Sequence, residues 1–210
     1  MAIHFTKPKA TFIHIPKTGG TSFEHWCYYN INYDSQDRHC TVKDAEKLWK
    51  NLGITFTFVR NPFDRMVSTF HFLGQRAQLR IKMRKLGKPT KKNTNQHDDL
   101  LISEYYMKGF ENWLVEQANN INNPFDLGVN GYERKTPMIY WIDNKIDIVI
   151  KIEELKNKIY KLEDLFDCKI DLQVTNTSQR RDYKFYYNDN TKKIVENFFK
   201  ADLEKFNYEF

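Results

Sequence analysis

The chain has 210 residues, a formal net charge of +6 and 15% aromatic side chains, including 16 Phe and 12 Tyr. That length suits one α/β domain, taken as residues 1–210, with an aromatic-rich core able to fold alone. No apolar run approaches the ~20 residues of a membrane span, the N-terminus lacks a secretory pattern, and Cys27, Cys40 and Cys168 lack metal-ligand spacing, so reduced thiols in a cytosol-like (cytoplasmic) compartment are expected.

The first informative stretch is Thr11-Phe-Ile-His-Ile-Pro-Lys-Thr-Gly-Gly-Thr-Ser22. Ile13 and Ile15 alternate as in a strand, a Pro-Lys-Thr-Gly-Gly turn follows, and Phe23, Trp26 and Cys27 take helical spacing. A strand, a tight loop and a helix N-terminus bring backbone N–H groups, the positive end of a helix dipole and the Lys17 ammonium toward one point. Such a point suits a phosphate or a sulfate. Gly19 and Gly20 let an anion approach the backbone without a Cβ in the way. The plainer alternative is an ordinary strand-to-helix turn with Thr21 as N-cap. A nucleoside-triphosphate P-loop carries its Lys after the glycines, whereas Lys17 precedes them.

Residues 30–40 are polar and irregular. Thr41-Val-Lys-Asp44 resembles a capping box opening a short helix that should end at Gly53. Ile54-Thr-Phe-Thr-Phe-Val59 alternates as a strand and ends on Arg60, after which Asn61-Pro62 starts a helix. Phe63, Met66, Val67 and Phe70 form its apolar face, while Asp64, Ser68, His71 and Gln75 form a polar stripe. An Arg at the C-terminal end of a parallel strand sits at the ligand edge of the sheet. A guanidinium there suits a phosphate monoester through bidentate bonds, and Ser68 adds a hydroxyl. A helix-capping Arg and a surface Ser are the structural alternative.

Eight cations and no acid lie between Arg76 and Lys92 (Arg76, Arg80, Lys82, Arg84, Lys85, Lys88, Lys91, Lys92), which leaves the remainder of the chain at −2. The basicity is therefore local. It reads either as a surface for an anionic acceptor or nucleic acid, or as a solvated helix face. Residues 98–119 should form one or two helices broken at Gly109, and 121–135 a loop rich in Asn, Gly and Pro. A strand lies near Ile148. Leu155, Ile159, Leu162 and Phe166 mark a helix, and Ile194, Phe198 and Leu203 mark the last one, from about Asn190. The middle of the chain, 74–130, is the expected acceptor side.

Phe12 to Ser22 and Phe56-Thr-Phe-Val-Arg-Asn-Pro-Phe-Asp-Arg-Met-Val-Ser68 together closely resemble the two cofactor signatures of the sulfotransferases that use 3′-phosphoadenosine 5′-phosphosulfate (PAPS). The likeness is nearest to the Golgi-type carbohydrate enzymes of the heparan sulfate 2-O kind. It implies a three-layer α/β/α, P-loop-like fold around a short parallel sheet. It also implies that Lys17, Thr18, Gly19, Gly20, Thr21 and Ser22 hold the 5′-phosphosulfate, and that Arg60 and Ser68 hold the 3′-phosphate. The run Asp147 to Leu155 and the tail Asp202 to Tyr208 are similar to the family more weakly. Pro137-Met138 and Glu154 depart from it on the acceptor side, where Pro-Gln and Asn are usual.

Sulfuryl transfer is an in-line displacement in which positioning and charge stabilisation do most of the catalysis. Lys17 and the loop N–H groups would stabilise the charge growing on the bridging oxygen, and no metal is expected. A general base must take the proton of the acceptor hydroxyl, which is expected to belong to a saccharide, with an anionic one among the candidates. His39 is the first choice, by its likeness to the histidine preceding a similar helix in the heparan sulfate 2-O enzymes; His71 is the second, Glu24 or His25 the third. His14 reads as core. Two other functions stay open from the residues alone: a P-loop kinase, and a nucleic-acid-binding protein using residues 76–92. Against the latter, the patch has no aromatic residue for a base to stack on.

Overall fold

Five short strands, β1 (Ala2–Phe5), β2 (Ala10–Ile13), β3 (Asp34–Gln36), β4 (Ile54–Val59) and β5 (Ile148–Lys151), form one sheet in the order β3-β1-β2-β4-β5. The computed structural model describes residues 2–36, 40–90, 95–119, 136–142, 145–172 and 180–210. β2, β4 and β5 run parallel, with Phe12 opposite Phe56 and Phe58 opposite Ile150. β1 pairs antiparallel with both β2 and β3. The expected parallel sheet is thus present, extended by two further strands, of which only β1 runs opposite to the rest. β3 is polar throughout and gives no sequence signal.

The chain divides into two compact units, Met1–Asn61 with Pro137–Thr177 and Ala201–Tyr208, and Pro62–Thr136 with Ser178–Lys200 and Glu209–Phe210. The first unit holds the sheet between helices. Strand residues alternate between its faces. Ile3, Phe5, Phe12, Phe56, Phe58 and Ile150 turn toward α1 (Gly20–Asn30) and, near the end of the unit's middle segment, α8 (Tyr160–Phe166); between them lie Phe23, Trp26, Leu162 and Phe166. Phe12 and Phe23 stand 4.9 Å apart edge to face, and Phe5 and Phe166 4.8 Å. Full burial of each such ring stabilises by about 1.5–3 kcal/mol. On the other face Ala2, Ile13, Ile15 and Val59 meet α2 (Val42–Leu48), α6 (Ile139–Ile142) and α10 (Lys200–Phe206) through Ala45, Trp141 and Phe206. That is the three-layer α/β/α arrangement.

The Thr41–Asp44 capping box forms in both directions, at 3.2 and 3.3 Å. Yet α2 stops at Leu48, with Trp49 already extended, rather than at Gly53. Gly53 has another cause: a Cβ there would stand 2.0 Å from the Lys9 carbonyl oxygen, where Ile54 N–H also bonds. The helix expected around Leu155–Phe166 divides at Ile159 into α7 (Leu155–Lys158) and α8, and the final one divides into α9 (Asp189–Phe198) and α10.

The second unit is helical. α3 (Pro62–Lys85) starts at the expected proline and runs on through much of the basic segment. α4 (Gln96–Met107) and α5 (Phe110–Asn119) part at Gly109, as the sequence indicates. Phe63, Phe70, Phe110, Trp113 and Tyr187 pack as a second aromatic cluster. The expected loop at 121–135 lies outside the described residues.

Candidate anion-binding site

Past its last rung at Ile13, β2 continues through the buried residues His14, Ile15 and Pro16 into a tight loop. Lys17 takes the left-handed conformation, φ 70, a geometry uncommon for a residue with a Cβ. Thr18 is wholly buried and its hydroxyl donates to the Ile15 carbonyl at 2.8 Å, drawing the loop back on itself. Gly19, φ 88, is the N-cap of α1 and supplies no side-chain cap; Ser22 N–H reaches its carbonyl at 3.1 Å. The helix therefore begins at Gly20, and the alternative of Thr21 as N-cap falls away.

Gly19 is favoured by its positive φ of 88 and Gly20 is required by space. A Cβ on Gly19 would lie 2.3 Å from Ile152 Cδ1, and one on Gly20 would lie 2.2 Å from His14 Cδ2. His14 is the strut under the loop. Its Nδ1 pairs with Glu24 Oε1, one turn into α1. Burial pushes its pKa down, and the Glu24 hydrogen bond opposes that shift. His14 is core, as expected, but its pairing with Glu24 has no signature in the sequence.

Arg60 follows the last residue of β4, the strand beside β2. Its Nη1 donates to the Lys17 carbonyl at 3.2 Å, so the first motif and the arginine of the second meet at the C-terminal edge of the parallel strands. The next peptide is held as well: Asn61 N–H donates to Glu153 Oε1 at 2.8 Å, and Tyr208 O–H to Glu153 Oε2 at 2.8 Å. In the sequence the neighbourhood of Glu153 and the tail carry only a family likeness, with no local signal of this role.

Ser68 is buried on α3 in the second unit. His71, on the same helix, bonds Tyr106 through Nδ1 at 3.1 Å and Tyr186 through Nε2 at 2.9 Å. Burial and then the Arg180 charge lower its pKa. Both ring nitrogens are thus engaged in a part-buried network. His25 is exposed, with its ring against Tyr29. His39 lies outside the described residues. In the basic run, Arg80 and Arg84 both bind the buried carboxylate of Asp99, and Arg76 lies over the Phe72 ring at 4.6 Å. Part of that run is therefore internal structure rather than an open patch; Lys91 and Lys92 lie outside the described residues. Among the described residues no cluster of three His, Cys, Asp or Glu side chains forms, and no helix is long and apolar enough to cross a membrane.

A three-layer α/β/α unit with a glycine loop at a helix N-terminus, Lys before the glycines and Arg at the neighbouring strand end, defines an α/β protein whose loop has the chemistry suited to a phosphate- or sulfate-bearing ligand. The model of the sulfotransferase family matches residues 2–209, and the chain belongs to that family. Neither the curated proteins nor the solved structures give a match to it. Family membership makes the protein a transferase of sulfuryl groups.

Proposed function

We propose that the protein moves a sulfuryl group from PAPS to a hydroxyl of a carbohydrate acceptor. The observation that carries this reading is the bond between Arg60 and the Lys17 carbonyl, which sets two cation-bearing segments side by side. The donor is an adenosine with two anionic ends, and the residues present fit it. The loop carries a glycine at positive φ, Gly19, and another, Gly20, at which a Cβ would meet the His14 ring, α1 starts there without a side-chain cap, and a guanidinium stands beside it.

The bound donor supplies the activated sulfuryl group and its leaving phosphate. Lys17, with the N–H groups from Thr18 to Thr21, neutralises the charge that gathers on the leaving side, in a setting where such donors are worth more than in water. Arg60 binds the ribose phosphate by its planar fork. Ser68 joins it through the motif alone. His39 is the proposed base for the acceptor hydroxyl, a role worth ~10²–10⁴ in rate. The three free thiols fit a reducing compartment.

The test is thermal unfolding with adenosine 3′,5′-bisphosphate, without added metal. A ligand at about a hundred times its Kd stabilises by about 2.7 kcal/mol, or roughly 5–10 °C for a chain of this size. Arg60→Ala should lose most of that shift. An unshifted wild type would refute the donor assignment.

A further inference from the structure

The motifs leave unexplained what holds Arg60 in place. β4 and β5 are paired as far as Val59 opposite Lys151, and there the ladder ends because β5 turns into a 3₁₀ turn at Ile152–Glu154. The Glu153 side chain takes over, and its Oε1 accepts Asn61 N–H at 2.8 Å. Its Oε2 accepts the Tyr208 hydroxyl at 2.8 Å.

Tyr208 is itself fastened from several sides. Its N–H reaches the Leu203 carbonyl at 3.0 Å. Lys151 Nζ donates to the Asn207 carbonyl at 2.9 Å and sits 4.4 Å over the Tyr208 ring. Asp202, wholly buried on α10, accepts Met138 and Ile139 N–H at 2.7 and 2.9 Å. Burial and then the Glu153 charge raise the Tyr208 pKa, keeping the phenol a donor, while Arg60 is near enough to act the other way.

We propose that Glu153, held by Tyr208, is a positioning residue that fixes Arg60 for the ribose-phosphate end of the nucleotide, which makes residues 202–208 part of the binding site. The proposal rests on the donor reading above. It also makes a prediction of definite sign. A carboxylate that acted only through its field would repel the phosphate, and its removal would tighten binding. A carboxylate that orients the Arg60–Asn61 turn does the opposite. Charge-assisted hydrogen bonds of this kind correspond to about a tenfold effect on binding.

The experiment is calorimetric titration of the full chain with adenosine 3′,5′-bisphosphate and, separately, adenosine 5′-phosphate, which lacks the group Arg60 would hold. Tyr208→Phe keeps the ring and should weaken the bisphosphate about three- to tenfold. Glu153→Ala should weaken it about tenfold or more. Glu153→Gln can still accept from Asn61 N–H and donate to the phenol oxygen, and should recover most of the affinity. The monophosphate should change less than about twofold throughout. Unchanged or tighter bisphosphate binding in Tyr208→Phe and Glu153→Ala overturns the proposal, as does an equal loss for both ligands. A wild type that fails to bind the bisphosphate removes the donor reading and this proposal together, whereas intact wild-type binding with insensitive variants removes this proposal alone.

Discussion

Gly20→Ala tests whether the loop is held from beneath by His14. A methyl group at residue 20 would stand 2.2 Å from His14 Cδ2 and 2.6 Å from Nε2, where ordinary contact begins at 3.4 Å. One partner must retreat by more than an ångström. His14 has little freedom to do so: it is 6% exposed, stacked on Phe12 with centroids 5.8 Å apart, and bonded to Glu24. The loop therefore moves. Overpacking of this kind costs about 1–3 kcal/mol, which for this chain length lowers Tm by roughly 4–8 °C near the middle of that range. Displacing the first turn of α1 should also weaken adenosine 3′,5′-bisphosphate about tenfold or more, read as the loss of its thermal stabilisation. The double variant His14→Ala/Gly20→Ala vacates the space and should regain affinity relative to Gly20→Ala, although it forfeits the Glu24 bond and stays less stable than wild type. A Gly20→Ala protein with unchanged Tm and unchanged binding would refute this account, and a double variant that binds no better would show that His14 is not the obstacle.

Lys17→Gly should change stability by less than about 1 kcal/mol, because relief of the left-handed φ of 70 offsets the gain in unfolded-chain freedom; sulfuryl transfer should nevertheless fall about 10²-fold or more, measured with labelled donor. Asp99→Ala should lower stability by about 2–4 kcal/mol in urea titrations, since the 2% exposed carboxylate binds two guanidinium groups that are each about one-fifth exposed; a loss below about 0.5 kcal/mol would contradict that role. For pH, burial lowers the pKa of both His14 and His71 in the folded chain. Both are neutral in either state well above pH 6.5, so stability is level there; below it the unfolded chain takes up protons that the folded chain refuses, and stability falls by at most about 1.4 kcal/mol per pH unit for each histidine. Urea titrations at pH 7, 6 and 5 should show that decline, and a flat profile would contradict it.

The sequence carried whatever depends on neighbours a few residues apart. The capping box at Thr41, the strand Ile54–Val59 and the helix break at Gly109 are local chemistry and formed as read. The loop between β2 and α1 was legible for the same reason. What could not be read depends on long-range pairing. Glu153 and Tyr208 are 55 positions apart, and nothing local distinguishes them from surface residues. The run from Arg76 to Lys92 looked free of acids because its partner, Asp99, comes later and from another helix. His71 lay on what the helical period gave as a polar stripe. Tyrosine hydroxyls from α4 and the turn at 183–186 cover it, so polarity on a helix did not mean solvent. β3 is the simplest case, three polar residues made a strand only by the edge of β1.

One physical reason connects the parts of the site. Lys17 and Arg60 both stand beyond the last paired residues of their strands, where regular pairing no longer fixes the backbone. Anion binding needs N–H groups and cations there that do not bond a neighbouring strand, yet a loop with that freedom would bind weakly because ordering it opposes association. The chain resolves the conflict with bonds that lie behind the edge: Thr18 to Ile15, His14 to Glu24, Asn61 to Glu153, Glu153 to Tyr208. None of these four bonds uses the N–H groups of Gly19 and Gly20. On the proposed reading, the Arg60 guanidinium at the end of β4 favours an anionic ligand such as a phosphate ester.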